Sequence, residues 1–114
     1  MINIPSSIIN KLIQEEAING KTLLMKLRDC KMEKQALDLL KYKYPNYNKI
    51  DGFGYSALFR AILGNMHELT FELIKKKDID YNLKDPYGFT ILMYLILVNM
   101  KKSTLELLKK RYKL

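Results

Sequence analysis

The residues of this chain that could do covalent or metal chemistry are few. His67 is its one imidazole and Cys30 its one thiol. A serine or threonine nucleophile needs a base within reach, and no triad-like set of partners accompanies His67. His67 opens an apolar-periodic segment, where it reads as a solvated first-turn residue; a catalytic or ligand role is the alternative. Cys30 cannot close an internal disulfide, so nothing here demands an oxidising compartment. It is read as a structural or incidental loop residue, with a redox role as the alternative. One His and one Cys fall short of the roughly four ligands of a structural zinc site. Glu15 and Glu16 read as solvated surface rather than an acid–base pair, and the glycines are scattered singly, with no phosphate-cradling loop. The expectation is a non-enzyme without metal or cofactor.

Recognition chemistry, in contrast, recurs at fixed spacing. Phe53 and Tyr87 are 34 residues apart, as are Tyr55 and Phe89. Lysines and an arginine close three successive segments: Lys41 and Lys43; Lys75, Lys76 and Lys77; Lys109, Lys110 and Arg111. They belong to an excess of 20 Lys+Arg over 12 Asp+Glu, a formal net charge of +8.

The elements that position these residues emerge when the sequence is slid over itself by 34. Gly20, Gly54 and Gly88 coincide, followed by Thr22, Ser56 and Thr90, then Leu24, Leu58 and Leu92. Leu39, Leu73 and Leu107 align later in the unit, and Tyr47, Asn48 and Asp51 fall on Tyr81, Asn82 and Asp85 between units. Each unit reads as two short helices and a turn. In the middle one, Ser56 caps a helix whose stripe is Leu58, Ala61 and Ile62. Gly64 and Asn65 end it as C-cap residues do, and a second helix from about His67 to Lys76 buries Leu69, Leu73 and Ile74. Gly88, like Gly54, is placed where a positive φ is needed before the next helix. Helix pairs this short cannot bury their stripes alone, so the units must stack.

The stretch Ile79-Asp80-Tyr81-Asn82-Leu83-Lys84-Asp85-Pro86-Tyr87-Gly88-Phe89-Thr90-Ile91-Leu92 resembles the finger and helix start of the ankyrin repeat, and Asn46 to Phe59 repeats the likeness. The family's Thr-Pro-Leu-His appears as Ser56-Ala57-Leu58-Phe59 and Thr90-Ile91-Leu92-Met93, without its Pro and His. The unit is one longer than the family's usual ~33 residues, the extra residue being placed between the helices. The resemblance covers about residues 17–114. It implies an all-α solenoid of stacked helix-turn-helix repeats with short β-turn fingers: capping helix and lead-in 1–19, repeat one 20–50, repeat two 51–84, and a truncated repeat three 85–114, all one domain. The capping helix, residues 6–16, starts at Ser6 or Ser7. In repeat three the first helix, Ile91 to Met100, is apolar nearly all round, the pattern of a helix buried on both sides.

Ankyrin proteins bind partners with finger tips and the concave face of their first helices. By position this implies Asn19, Phe53 and Tyr87 at the tips, Lys21, Tyr55 and Phe89 two residues on, and Asp29, Leu63 and Leu97 late in the first helices. Four aromatics at turn positions form either an exposed recognition surface or rings packed on the adjacent finger that stiffen the stack. The basic residues either complement the negative ends of their helices, about 0.3–1 kcal/mol apiece, or line up as a ridge facing an acidic protein, a nucleic acid or an anionic membrane.

The first reading is therefore a protein-binding module for a partner protein, acidic if the ridge takes part, that works as a small inhibitor, immunity protein or host-manipulating effector. The chain is expected to be complete at this size. A self-assembling homodimer through the apolar last repeat is the second reading, and a nucleic-acid binder the least favoured third, because no nucleic-acid motif supports it. Met1 to Pro5 lacks the basic stretch and long apolar core of a signal peptide, and the longest apolar run, Ile91 to Val98, is far short of the roughly 20 residues that span a membrane. A cytoplasmic protein is expected.

Overall fold

The computed structural model describes Met25, residues 33–41 and residues 48–113. The expected capping helix and the residues Asn19, Gly20, Lys21, Asp29, Cys30 and Lys43 lie outside them. The described fold is all-α: α1 (Glu33–Leu39), α2 (Ala57–Leu63), α3 (His67–Lys75), α4 (Ile91–Leu97) and α5 (Lys101–Tyr112). Among the described residues, extended pairing is limited to the isolated antiparallel bridges Ile50–Ser56 and Lys84–Thr90.

The helices form two layers. α2 and α4 pack side by side in one; α1, α3 and α5 follow each other in the second, with α2 against α3 and α4 against α5. Between the layers lie Leu58, Ile62, Leu69, Leu73, Ile74, Ile91, Leu95 and Leu107, all essentially without solvent contact. Removing one of the large aliphatic side chains costs about 2–5 kcal/mol.

Local sequence explains where the first-layer helices begin and stop. Ser56 and Thr90 are extended, and their hydroxyls accept the N–H groups of Phe59 at 3.3 Å and Met93 at 3.2 Å. At the other end Met66 N–H donates to Ala61 O at 3.0 Å and Asn65 N–H to Ile62 O at 3.0 Å. These are the two bonds of a Schellman cap, and Met100 and Asn99 repeat them on Leu95 and Ile96. The left-handed residue in each cap is the asparagine, Asn65 at φ 58° and Asn99 at φ 61°. Gly64, expected to share that role, sits at an ordinary φ of −81°, as Val98 does at −91°.

The second-layer helices take partners from their neighbours. α3 has no side-chain cap of its own; Glu33, from α1, accepts the Leu69 N–H at 3.3 Å. Lys76, just past α3, donates to Leu40 O at 2.8 Å, just past the end of α1. Neighbouring units thus finish each other's helix ends.

One expectation is corrected. α4 ends at Leu97 rather than Met100, and it is not buried on both sides: Ile91 and Leu95 are covered, while Met93, Ile96 and Leu97 are exposed. Among the described helices, α2 and α5 are the ones packed against it. Among the described residues, no helix is long and apolar enough to cross a membrane.

Candidate functional site

The turns that enter α2 and α4 are built on a buried aspartate each. Asp51 Oδ1 accepts the N–H groups of Phe53 at 2.9 Å and Tyr55 at 3.1 Å. Asp85 Oδ1 accepts those of Tyr87 at 2.9 Å and Phe89 at 2.8 Å. In both turns the glycine N–H returns to the aspartate carbonyl at 3.0 Å, and the chain passes through Gly54 at φ 89° and Gly88 at φ 87°. Each carboxylate therefore organises a whole turn, and the residue between aspartate and glycine is thrust outward. Phe53 is 69% exposed and Tyr87 79%. Large rings held in water on rigid turns need little further ordering when a partner covers them.

The second carboxylate oxygen is used differently in the two turns. Asp51 Oδ2 binds Arg60 Nε and Nη2, each at 2.8 Å, whereas Asp85 Oδ2 accepts the Tyr94 hydroxyl at 2.5 Å. Burial pushes the Asp51 carboxyl upward, but the Tyr55 N–H, the Arg60 guanidinium and the Phe53 N–H outweigh it and hold the group below its ordinary 3.8. Asp85 is likewise lowered: burial raises it, and the Tyr94 hydroxyl with three backbone N–H groups overcomes that. Tyr94 moves the other way, to about 12, because its proton is held by Asp85 and its phenol is partly desolvated.

Tyr55 is not an exposed recognition ring, and this corrects the expectation. It is half-buried, with the Arg60 guanidinium 4.6 Å from its centroid and Phe59 edge-on at 6.1 Å. Phe59 in turn meets Tyr94 edge-on at 5.5 Å. Phe59 is thus a buried joint between α2 and α4. Phe89, Tyr55's equivalent one unit on, is 47% exposed. It is drawn toward α4, 5.7 Å from Tyr94, and lines an open groove of about 500 Å³ with Met93, Tyr94, Ile96 and Leu97. Leu63 is exposed at the end of α2. The proposed set therefore divides: Phe53 and Tyr87 stand on the turns, Phe89 and Leu97 belong to the groove.

The basic row is less continuous than its spacing implies. Lys76 turns to the Leu40 carbonyl, and Lys110 to the Lys76 carbonyl. Burial depresses the Lys110 ammonium. Lys41 pairs with Asp38 at 3.2 Å, and Lys75 with Glu72 at 3.5 Å. Lys77, Lys109 and Arg111 are exposed. The cations do meet the negative ends of helices, yet Lys76 and Lys110 serve the helix of the preceding unit rather than their own.

His67 is exposed at the start of α3, 3.0 Å from Asn65 Oδ1. Among the described residues no group of three or more His, Cys, Asp or Glu is placed to hold a metal ion. Sequence reasoning missed the organising role of Asp51 and Asp85, although their recurrence two and four residues before outward and half-buried aromatics was a usable signal. It also missed Pro86, whose ring lies against Gly54. Compared with known proteins, the chain matches no protein-family model, no curated protein and no solved structure.

Proposed function

We propose that this chain is a non-catalytic protein–protein interaction module, a small ankyrin-type solenoid that docks a partner protein with the tips of its turns. The observation that carries the reading is the pairing of Phe53 and Tyr87: equivalent in two units, fixed by the Asp51 and Asp85 carboxylates, and both well exposed. Aromatics so placed bury much area on contact while freezing few rotors. The matching bonds at the two turns and at the two Schellman caps support a repeat of ankyrin type, and the partial diversion of the basic row into helix capping favours a protein over a nucleic acid as the target. Action by occupying a partner's surface follows from this reading, as an inhibitor, immunity protein or effector does.

The test is a pull-down with the wild-type chain and the Phe53→Ala/Tyr87→Ala double variant, followed by calorimetry on whatever only the wild type retains. Loss of a central anchor costs about 2 kcal/mol or more, so affinity should fall at least roughly 30-fold while the far-ultraviolet circular dichroism stays the same. Equal affinity of the two proteins for the captured partner refutes the turn-tip site. Binding that disappears steeply with salt would instead indicate a polyanion.

A further inference from the structure

The outer side of α4 repeats a surface that is already an interface inside the molecule. Phe59 and Ile62 of α2 are each 1% exposed, Phe59 packing against Tyr94 of α4; their equivalents 34 residues on, Met93 and Ile96, are 53% and 63% exposed. That face carries Phe89, Met93, Ile96 and Leu97, continued by Leu105 of α5 across a second groove of about 390 Å³. Ile96 lines both grooves and so occupies the middle of the patch. Five side chains exposed to this degree present roughly 500 Å² of apolar surface, at the upper end for a monomer.

From this we propose that a second copy of the same chain covers the face, α4 against α4 about a two-fold axis that passes close to Ile96. Two observations select this occupant. α4 carries no charged residue, so two copies can meet along the helix itself without like charges facing each other, Lys101 in the second groove being the cation that borders the patch, even though each chain has a formal charge of +8. Doubled by symmetry, the patch reaches the roughly 1,000 Å² at which a specific interface begins, and a two-fold axis needs only one self-complementary surface. This interface is separate from the Phe53 and Tyr87 tips, so either assignment can fail alone.

Sedimentation velocity from about 5 to 200 µM tests it, alone and with a charge-swap pair. The wild type should sediment as a dimer across the upper part of that range. Ile96→Glu and Ile96→Lys, each placing like charges at the axis, should be monomeric, with a dissociation constant raised about 100-fold or more; an equimolar mixture should recover a heterodimer. Circular dichroism melts confirm that both variants stay folded, as expected for a surface position, and should either unfold, Leu105→Glu takes its place. A wild type that is monomeric throughout overturns the proposal and leaves the face to a different partner. A mass that keeps growing with concentration overturns it too, as it indicates head-to-tail stacking, and so does a mixture of folded variants that stays monomeric.

Discussion

Gly54 and Gly88 offer a matched pair for weighing the contact between successive turns. Their backbones are nearly the same, at φ 89° and 87°, but their surroundings differ. A Cβ on Gly54 would lie 2.6 Å from Pro86 Cγ and 3.2 Å from Cδ, whereas one on Gly88 would meet nothing within 4 Å. Alanine at either site incurs the left-handed penalty of about 1–2 kcal/mol, softened by ~0.4–1 kcal/mol because the unfolded chain loses freedom. Gly88→Ala should therefore destabilise by about 1 kcal/mol. Gly54→Ala bears the same charge plus an overlap about 1 Å inside normal carbon–carbon contact, and overpacking of that kind adds roughly 1–3 kcal/mol. Urea denaturation should place Gly54→Ala about 2–4 kcal/mol below wild type; at about 4 °C per kcal/mol its melting temperature should fall by roughly 8–16 °C. Pro86→Ala removes both clashing atoms, so the Gly54→Ala/Pro86→Ala variant should be more stable than the two single losses added together, by about 1–2 kcal/mol. Equal losses at the two glycines, or strict additivity in that cycle, would refute the view that Pro86 packs on the preceding turn.

Three further outcomes are expected. Because the native values of Asp51 and Asp85 lie below 3.8, their contribution is complete above about pH 5 and is lost as pH falls through the unfolded value toward the lowered native ones; urea midpoints should drop between about pH 5 and pH 3, and less so in Asp51→Asn. With a native value of about 12 against an ordinary 10.0, Tyr94 supports the fold fully below pH 10 and loses that support as pH rises toward 12, so absorbance titration of the phenolates should show one late component that Tyr94→Phe abolishes. Lys76→Met should cost about 1 kcal/mol by unpairing the Leu40 carbonyl, while Lys77→Met, at an exposed position, should stay within about 0.5 kcal/mol of wild type.

Much of the local architecture was readable because it depends on near neighbours in the chain. Ser56 and Thr90 cap from three residues away, and the stripes Leu58–Ala61–Ile62 and Leu69–Leu73–Ile74 face inward because helical spacing leaves them no alternative. Where a residue's partner lies a full unit away, residue type misled. Lys76 and Lys110 looked like caps for their own helices, since a cation at a helix end is favourable whichever helix it meets; the side chain is long enough to reach the preceding unit, and a carbonyl there leaves it better paired than water-exposed neighbours such as Lys77. Tyr55 and Phe89 occupy the same position, yet the first is pinned by Arg60 and the second is not, because the residue nine positions after the turn aspartate changes from arginine to tyrosine.

Exposure is the property hardest to read from one chain, since it belongs to a residue's neighbours rather than to the residue. Phe59 and Met93 share a place in the repeat and a similar hydrophobicity, and only the presence of α4 beside one of them separates 1% from 53% exposure. The apolar run Ile91–Val98 looks like an element buried all round because every position carries a side chain fit for burial, including those that α2 and α5 leave open. Mixed exposed and apolar character on one helix is costly to leave in water, and Ile96 lies where that cost is concentrated. A contact that forms there stabilises the outer side of α4 just as α4 stabilises the outer side of α2, so the last unit of the stack should melt together with the rest when the face is covered and ahead of it when Ile96→Glu keeps the face open. Hydrogen exchange resolves the two cases: amides of α4 and α5 should exchange several-fold faster in the variant while those of α2 and α3 keep their protection, and uniform acceleration across all four helices would contradict a face whose role is confined to the end of the stack.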